Sequence, residues 1–383
     1  KSGINIHERV AFDWEKNQKK LLLDINTSNL FLKNGSPFRF TDNFKNVNLS
    51  ETLKTIAFEG FEGFYHGWVA DDMVHKLNLI GGNHTLKDFS NAKAEWVKPI
   101  SGYYRNIEVH ECPPNGQGII ALIILAILEK FNFNKTTKVN YAHIFCEAVK
   151  IGYYLRDQFL ADPKLNKLTV QDFLNSEVID KYASNIEMKK AKKFKKSHFP
   201  DHPDTIYLTV RDKNGMTISF INSLFDAFGS GITAEKSGVL FHSRGRAFNL
   251  TEGHPNELNP EKRPLHTIIP AMITKNDKLI GSFGVMGGQY QAAGHAYVLS
   301  QMIDFGLNPQ EALNYPRVFP NNDFLDFEDD FDKKIINELV LRGHKINFPV
   351  PLIGGGQMIL IDNERDILIG ASDWRKDGLA IGY

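Results

Sequence analysis

Three glycine groups stand beside runs of alternating apolar residues: Phe228-Gly229-Ser230-Gly231, Gly284-Val285-Met286-Gly287-Gly288 and Gly354-Gly355-Gly356. Glycine lets a backbone come close to a ligand and turn its N–H groups toward it. Gly287-Gly288 is the most informative pair, because Ala292, Ala296, Leu299 and Ile303 beyond it share one face of a predicted helix. Gly306 would end that helix and Pro309 would open the next. Two amides at a strand-to-helix turn, backed by a helix N-terminus, can stabilise a developing oxyanion. Tight turns in a sheet also demand glycine, so the glycines alone leave both readings open. Other chemistry is absent by pattern: there is no P-loop, no Gly-x-Ser-x-Gly elbow and no His-Glu-x-x-His helix. His198 and His202 are four apart, but in a proline-flanked stretch that reads as solvated linker. Neither a metal nor a cofactor is expected.

The elements that must position such groups differ between the two halves. Residues 1–185 read as largely helical, with helices expected from residue 49 to about 60, over 118–131 and over 141–159. Residues 97–113 are strand-like and end at the turn Pro113-Pro114-Asn115-Gly116. From Thr205 the period becomes two: Ile206, Leu208 and Val210 alternate with Thr205, Tyr207 and Thr209. Asp212-Lys213-Asn214-Gly215 then turns the chain into a second strand over 216–222, which makes a hairpin. Further strands are expected over 238–242, 266–274, 278–285, 357–361 and 367–370. Between the halves, residues 189–196 hold six lysines and 197–203 hold two prolines and two histidines, an exposed connector that ends where a strand begins with threonine. Helices followed by antiparallel strands indicate an α+β protein.

Composition narrows the class. The chain has 383 residues, 42% hydrophobic and 23% charged, which excludes a disordered chain. Forty-five basic residues offset forty-five acidic ones, which argues against nucleic acid as the main partner. The longest apolar run, residues 119–128, is far short of the ~20 needed to span a bilayer, so no membrane partner is expected. Cys112 and Cys146 are too few for a disulfide scaffold or a four-cysteine zinc site and read as small buried hydrophobes. The chain opens Lys1-Ser2-Gly3 without Met, so sequence upstream is expected; a cytoplasmic location is the default in the absence of a targeting signal.

An ordered set of motifs resembles the gamma-glutamyltransferase family over roughly residues 50–383. Phe64-Tyr65-His66-Gly67, Gly81-Gly82 with Leu86, and Pro113-Pro114-Asn115-Gly116-Gln117-Gly118 resemble its large subunit. The run from Asp204-Thr205 to Asn214-Gly215 resembles the start of its small subunit. Ser223-Leu224-Phe225, residues 228–231, residues 262–267, Gly287-Gly288, Ala312 to Pro316-Arg317, and Gly370-Ala371-Ser372-Asp373 with Asp377-Gly378 follow in the family's order. The likeness is greatest to the acylase-like branch. It implies an N-terminal nucleophile hydrolase, a four-layer αββα sandwich, with residues 1–204 as the large-subunit portion and 205–383 as the small, together one domain. The family's opening segment finds no counterpart in the chain.

The resemblance also implies roles. The precursor would cut itself between Asp204 and Thr205, leaving Thr205 as N-terminal nucleophile with its own α-amine as base. Ser223 would support that hydroxyl, and Gly287 and Gly288 would form the oxyanion hole. The family's asparagine, glutamine and aspartate around the donor's α-amino group align with Phe225, Arg244 and Ala247; its carboxylate-binding serine pair aligns with His266-Thr267. Losing the aspartate and gaining Arg244 opens an alternative to gamma-glutamyl amides, a glutaryl-like acyl group without the ammonium. A chain that stays uncut would be an inactive relative. The implied partners are an acyl amide donor, water or an amine acceptor, and the two cut pieces as a heterodimer, with a further homodimer as an extension. Arg263 and Arg375 are expected in core-edge ion pairs, and Asp373 and Asp377 in turns.

Overall fold

Alternation along the strand Lys278–Met286 decides the layering. Phe283 and Val285 face the helix Gln291–Phe305: the Phe283 ring lies 4.6 Å from that of His295, and a Cβ on Gly294 would stand 2.7 Å from Val285 Cγ1. Ser282 and Gly284 face the strand Asp204–Arg211 instead. Thr209 Oγ1 is hydrogen-bonded to Ser282 Oγ, and the Tyr207 ring lies so close over Gly284 that a Cβ there would collide with it. The strand is therefore covered by a helix on one face and by a second strand layer on the other. This helix-on-sheet-on-sheet order is the layering that the resemblance implies.

The computed structural model describes residues 1–164, 169–193 and 204–383. The chain forms two compact units, Lys1–Trp96 with Leu224–Arg244, and Val97–Ser223 with Gly245–Tyr383. The second unit holds a six-stranded antiparallel sheet in the order Ile367–Ser372, Gly355–Asp362, Lys278–Met286, Ala271–Lys275, Ile107–Glu111, Ile100–Tyr104. Strands from both sides of residue 204 thus share one ladder. The helix Gly118–Glu129 buries ten of its twelve residues, almost all of them isoleucine, leucine or small, so it is apolar on every face. Each fully buried Ile or Leu adds about 1.5–3 kcal/mol, several times the small helix-propensity cost of isoleucine, so packing holds this helix. The longer helix Lys138–Phe159 lies against it. Gly306 closes Gln291–Phe305 in the left-handed conformation, and Pro309–Asn314 follows with a capping box from Asn308.

The first unit is a set of short helices around an aromatic cluster of Trp14, Phe31, Phe38, Phe44 and Phe228. Lys20 Nζ donates to the carbonyls of Ala227 and Gly229, fastening the Phe228-Gly229 turn.

Several expectations change. Residues 238–242 form only an isolated bridge, Thr233 to Leu240, and no strand. Side chains take the neighbouring backbone groups: Asp72 accepts from Ser237 N–H, Thr52 donates to Ser237 O, and Asn46 donates to Gly238 O. The strand expected over 266–274 is shorter, Ala271–Lys275, because residues 264–267 are bonded to the Pro113–Gly118 segment instead. Cys146 is buried, whereas Cys112 is only half-buried. Helices Trp68–Leu79 and Ser176–Ser184 fall in the stretch read as largely helical, without bounds given there, and Lys333–Leu341 was not expected. His198, His202 and most of the lysine-rich connector lie outside the described residues. Among the described residues, no helix is long and apolar enough to cross a membrane.

Candidate active site

Thr205 begins the inward face of a hairpin, Asp204–Arg211 with Thr217–Phe225. Its side chain is buried, and Oγ1 donates to Ser223 Oγ at 3.1 Å. Two turns of the pleat further on, Tyr207 OH bonds Ser219 Oγ at 2.8 Å. The register against the neighbouring layer is informative: Thr209 lies over Ser282 and Tyr207 over Gly284. One more two-residue step in the same sense carries Thr205 to the level of Met286, the residue before Gly287. Met286, Tyr207 and Ile221 form one small apolar cluster, which locks that register.

The Gly287-Gly288 turn is held on every side. Gly287 has φ 125° and Gly288 φ 51°, conformations that favour glycine. A Cβ on Gly287 would also stand 2.8 Å from Gly354 Cα. Three carbonyls in succession are engaged: Gly287 O accepts from Tyr290 N–H at 2.9 Å, Gly288 O from Gln117 Nε2 at 3.0 Å, and Gln289 O from Tyr153 OH. A trans peptide points its N–H opposite to its C=O. The N–H groups of Gly288 and Gln289 therefore point away from Tyr290 and Gln117, at the foot of the helix Gln291–Phe305, whose N-terminus favours negative charge.

His266 and Thr267 belong to the same unit as this turn. His266 N–H donates to Asn115 O at 2.9 Å, Gln117 N–H donates to His266 O at 3.0 Å, and Gln117 Nε2 donates to Thr267 O at 2.8 Å. Phe225 and Arg244 come together in the other unit, with the Arg244 guanidinium 4.3 Å above the Phe225 ring. Burial draws the Arg244 pKa down to about 10, against the opposing pull of Asp226. Ala247 is buried, and its carbonyl accepts from Asn256.

Several side chains around the turn escaped the sequence. Gln117 sits in a motif whose side chains carried no reading there, and Tyr153 and Arg156 are ordinary members of a helix pattern. Asp373 was expected in a turn. It caps the short helical turn Trp374–Lys376, but it is also fully buried and paired with Arg317 and Arg375. Arg375 is buried deeper than a core edge, whereas Arg263 is half exposed beside Asp162, at 3.7 Å. Asp377 takes a left-handed turn conformation.

One group among the described residues has the donor chemistry of a metal site: His143 and Glu147, one turn apart on the helix Lys138–Phe159, with His344. His143 Nδ1 and His344 Nε2 are 2.8 Å apart, and Lys150 Nζ lies 2.8 Å from Glu147 Oε1 and 3.3 Å from His344 Nδ1. His143 Nε2 is bonded to Glu187 O and Glu147 Oε2 accepts from Lys192 N–H. Burial, reinforced by Lys150, holds the His344 pKa down at about 3, so the pair is neutral. With an ammonium already against the carboxylate, this cluster fastens residues 187–192 by hydrogen bonds.

The chain is similar over its whole length to known proteins. A family model described as Gamma-glutamyltranspeptidase matches residues 1–383. The Glutathione hydrolase-like YwrD proenzyme of Bacillus subtilis (strain 168) is 33% identical over 379 residues, 96% of this chain and 71% of that protein. The Oxamate amidohydrolase proenzyme of Klebsiella pneumoniae is 29% identical over 366 residues, 93% of this chain and 69% of that one. The crystal structure of cephalosporin acylase from Bacillus halodurans matches with a TM-score of 0.92 and 34% identity, covering 100% of this chain and 72% of that chain.

Proposed function

The chain belongs to the gamma-glutamyltranspeptidase family, and we propose that it opens its own Asp204–Thr205 bond and then hydrolyses or transfers the acyl group of an amide held as an ester on Thr205 Oγ1. The observation that carries this is the buried Thr205–Ser223 hydroxyl pair, on a hairpin whose register leads to Gly287-Gly288. Once Thr205 heads a chain, its α-amine, with a pKa near 7.7–8.0, can take the hydroxyl proton without a histidine. Oγ1 attacks the amide carbonyl, and N–H groups of the glycine turn stabilise the oxyanion. The proton passes to the departing amine. Water or a second amine then cleaves the ester and restores the free hydroxyl.

For the acyl group we favour one that ends in a carboxylate. In the sequence Arg244 and Ala247 replace family residues that surround the α-ammonium of a gamma-glutamyl donor, and a guanidinium suits a carboxylate. His266 and Thr267, in place of the family's carboxylate-binding serines, still offer donors. The relatives span a range by name, from a glutathione hydrolase-like protein to oxamate amidohydrolase and cephalosporin acylase. Two pieces on a denaturing gel, the smaller beginning at Thr205, are expected of purified protein. A panel of gamma-glutamyl and glutaryl anilides then decides the head group: faster turnover of the glutaryl compound supports the carboxylate reading, and strict dependence on the ammonium overturns it. An uncut chain that hydrolyses neither compound would mark an inactive relative.

A further inference from the structure

The glycine turn does not hold its shape by itself. Its middle carbonyl is tied to Gln117, a residue 171 positions away in sequence and fully buried. Gln117 uses every polar atom of its carboxamide: Nε2 donates to Gly288 O at 3.0 Å and Thr267 O at 2.8 Å, and Oε1 accepts from Arg156 Nη1 at 3.2 Å. Two donors and an acceptor on one planar group are what an amide side chain supplies, and Arg156 forbids the flipped orientation. The same guanidinium bonds Gln289 Oε1, and Tyr153 OH bonds Gln289 O. Gln117 thus links the glycine turn to the His266-Thr267 segment, while Tyr153 and Arg156 hold the next residue from a buried helix.

We propose that Gln117, assisted by Tyr153, is a positioning residue that sets the peptide planes of the 287–289 turn, so that its N–H groups match the tetrahedral oxyanion better than the ground-state carbonyl. This rests on the reading of Thr205 as nucleophile. Gly288 O takes two donors, the backbone N–H of Gln291 and Gln117 Nε2, and together they fix the plane of the Gly288–Gln289 peptide, because C=O and N–H in one peptide are rigidly opposed. With the Gln117 bond lost, one tether remains and the peptide can rock about it, and a misdirected donor loses part of the ~10²–10³ that an oxyanion-hole N–H contributes. The effect belongs to the transition state, so it appears in kcat and not in KM.

The test uses the mature enzyme. A burst of chromophoric acylation counts competent Thr205 in each preparation, and turnover is expressed per counted site. Affinity is measured for a substrate-derived boronic acid, which forms a tetrahedral adduct on a hydroxyl, and for the free acid product. Gln117→Glu keeps the shape and the Arg156 contact but loses both donors. It is expected to lower kcat per site about tenfold to a hundredfold, to weaken the boronate by the same factor, and to leave product affinity and KM within about twofold. Tyr153→Phe should do the same more weakly, by a few-fold. Unchanged kcat per site in these variants, or equal losses of boronate and product affinity, overturns the proposal. Should Gln117→Glu fail to mature, Tyr153→Phe decides by the same criteria. Failure of the underlying reading looks different: the wild type itself gives no burst, or Thr205→Ala keeps full turnover.

Discussion

Two buried guanidinium networks flank the glycine turn, and they differ in the groups through which they reach it. Arg317 and Arg375 are enclosed with Asp373 and Glu328: Arg375 bonds Glu328 at 2.5 and 2.7 Å and Asp373 at 3.2 Å, while Arg317 pairs with Asp373. Two cations meet two anions, and the same carboxylate oxygens also accept from the Ile353 and Gly356 N–H groups. That cluster therefore fastens the Gly354 segment against which Gly287 packs. Arg156 is ion-paired as well, with Asp157 at 2.7 Å, but its contacts to the turn run through neutral carboxamides, Gln117 and Gln289. The first network neutralises charge and holds the fold; the second aims peptide dipoles. Breaking a buried ion pair strands a charge, whereas breaking a carboxamide bond mainly frees an orientation.

That contrast can be broken or sharpened by experiment. The largest effect should come from the group both networks serve: Thr205→Ala is expected to leave the chain uncut on a gel and to lower turnover by about four orders of magnitude or more. Next comes Asp373→Ala, which strands Arg317 and leaves Arg375 with Glu328 alone, and should cost about 3–5 kcal/mol of stability in denaturant titration. If instead it slowed turnover per active site and left stability alone, the division between the networks would fail. Ser223→Ala breaks a neutral contact. Removing one hydroxyl partner of Thr205 should lower kcat about tenfold, the worth of one hydrogen bond of about 1.4 kcal/mol, with an unchanged unfolding midpoint.

The smallest effect is a pH profile. The α-amine of Thr205 must be neutral to act as base, so kcat/KM should rise with pH up to about 8. Burial opposes the charge of Arg375, but its bonds to Glu328 and the nearby Asp373 outweigh that and hold its pKa above the ordinary arginine value. Arg244, lowered to about 10 by burial, can lose its proton within reach of assay. The KM of a carboxylate substrate should therefore rise above about pH 10, while thermal stability stays insensitive to loss of charge in the Arg375 cluster. A KM that is flat to pH 11 would remove Arg244 from substrate binding.

Part of this was legible because it is local. Glycine closing a helix at Gly306, proline opening the next at Pro309, and the Asp212-Lys213-Asn214-Gly215 turn all act within a few residues of themselves. Gln117 was not legible as a brace, because its partners lie 150 and 171 residues away and its own segment reads as a turn. Residues 238–242 misled for a related reason: their composition suits a strand, but Val239 and Phe241 bond back to residues 230–234 in a tight local loop, and Asn46 takes the Gly238 carbonyl.

The hairpin at Thr205 shows where the division falls. Period-two alternation in the chain determined that a strand would form and that Thr205, Tyr207 and Thr209 would share a face. It did not determine which face turns inward. In the folded molecule Ile206, Leu208 and Val210 are exposed at 67, 42 and 48%, and the Thr205 and Tyr207 side is buried against Ser282 and Gly284. Hydrophobicity alone would choose the opposite face. Only the neighbouring layer, with a hydroxyl and a bare glycine at matching heights, offers the hydrogen bond and the space that turn this side chain row inward.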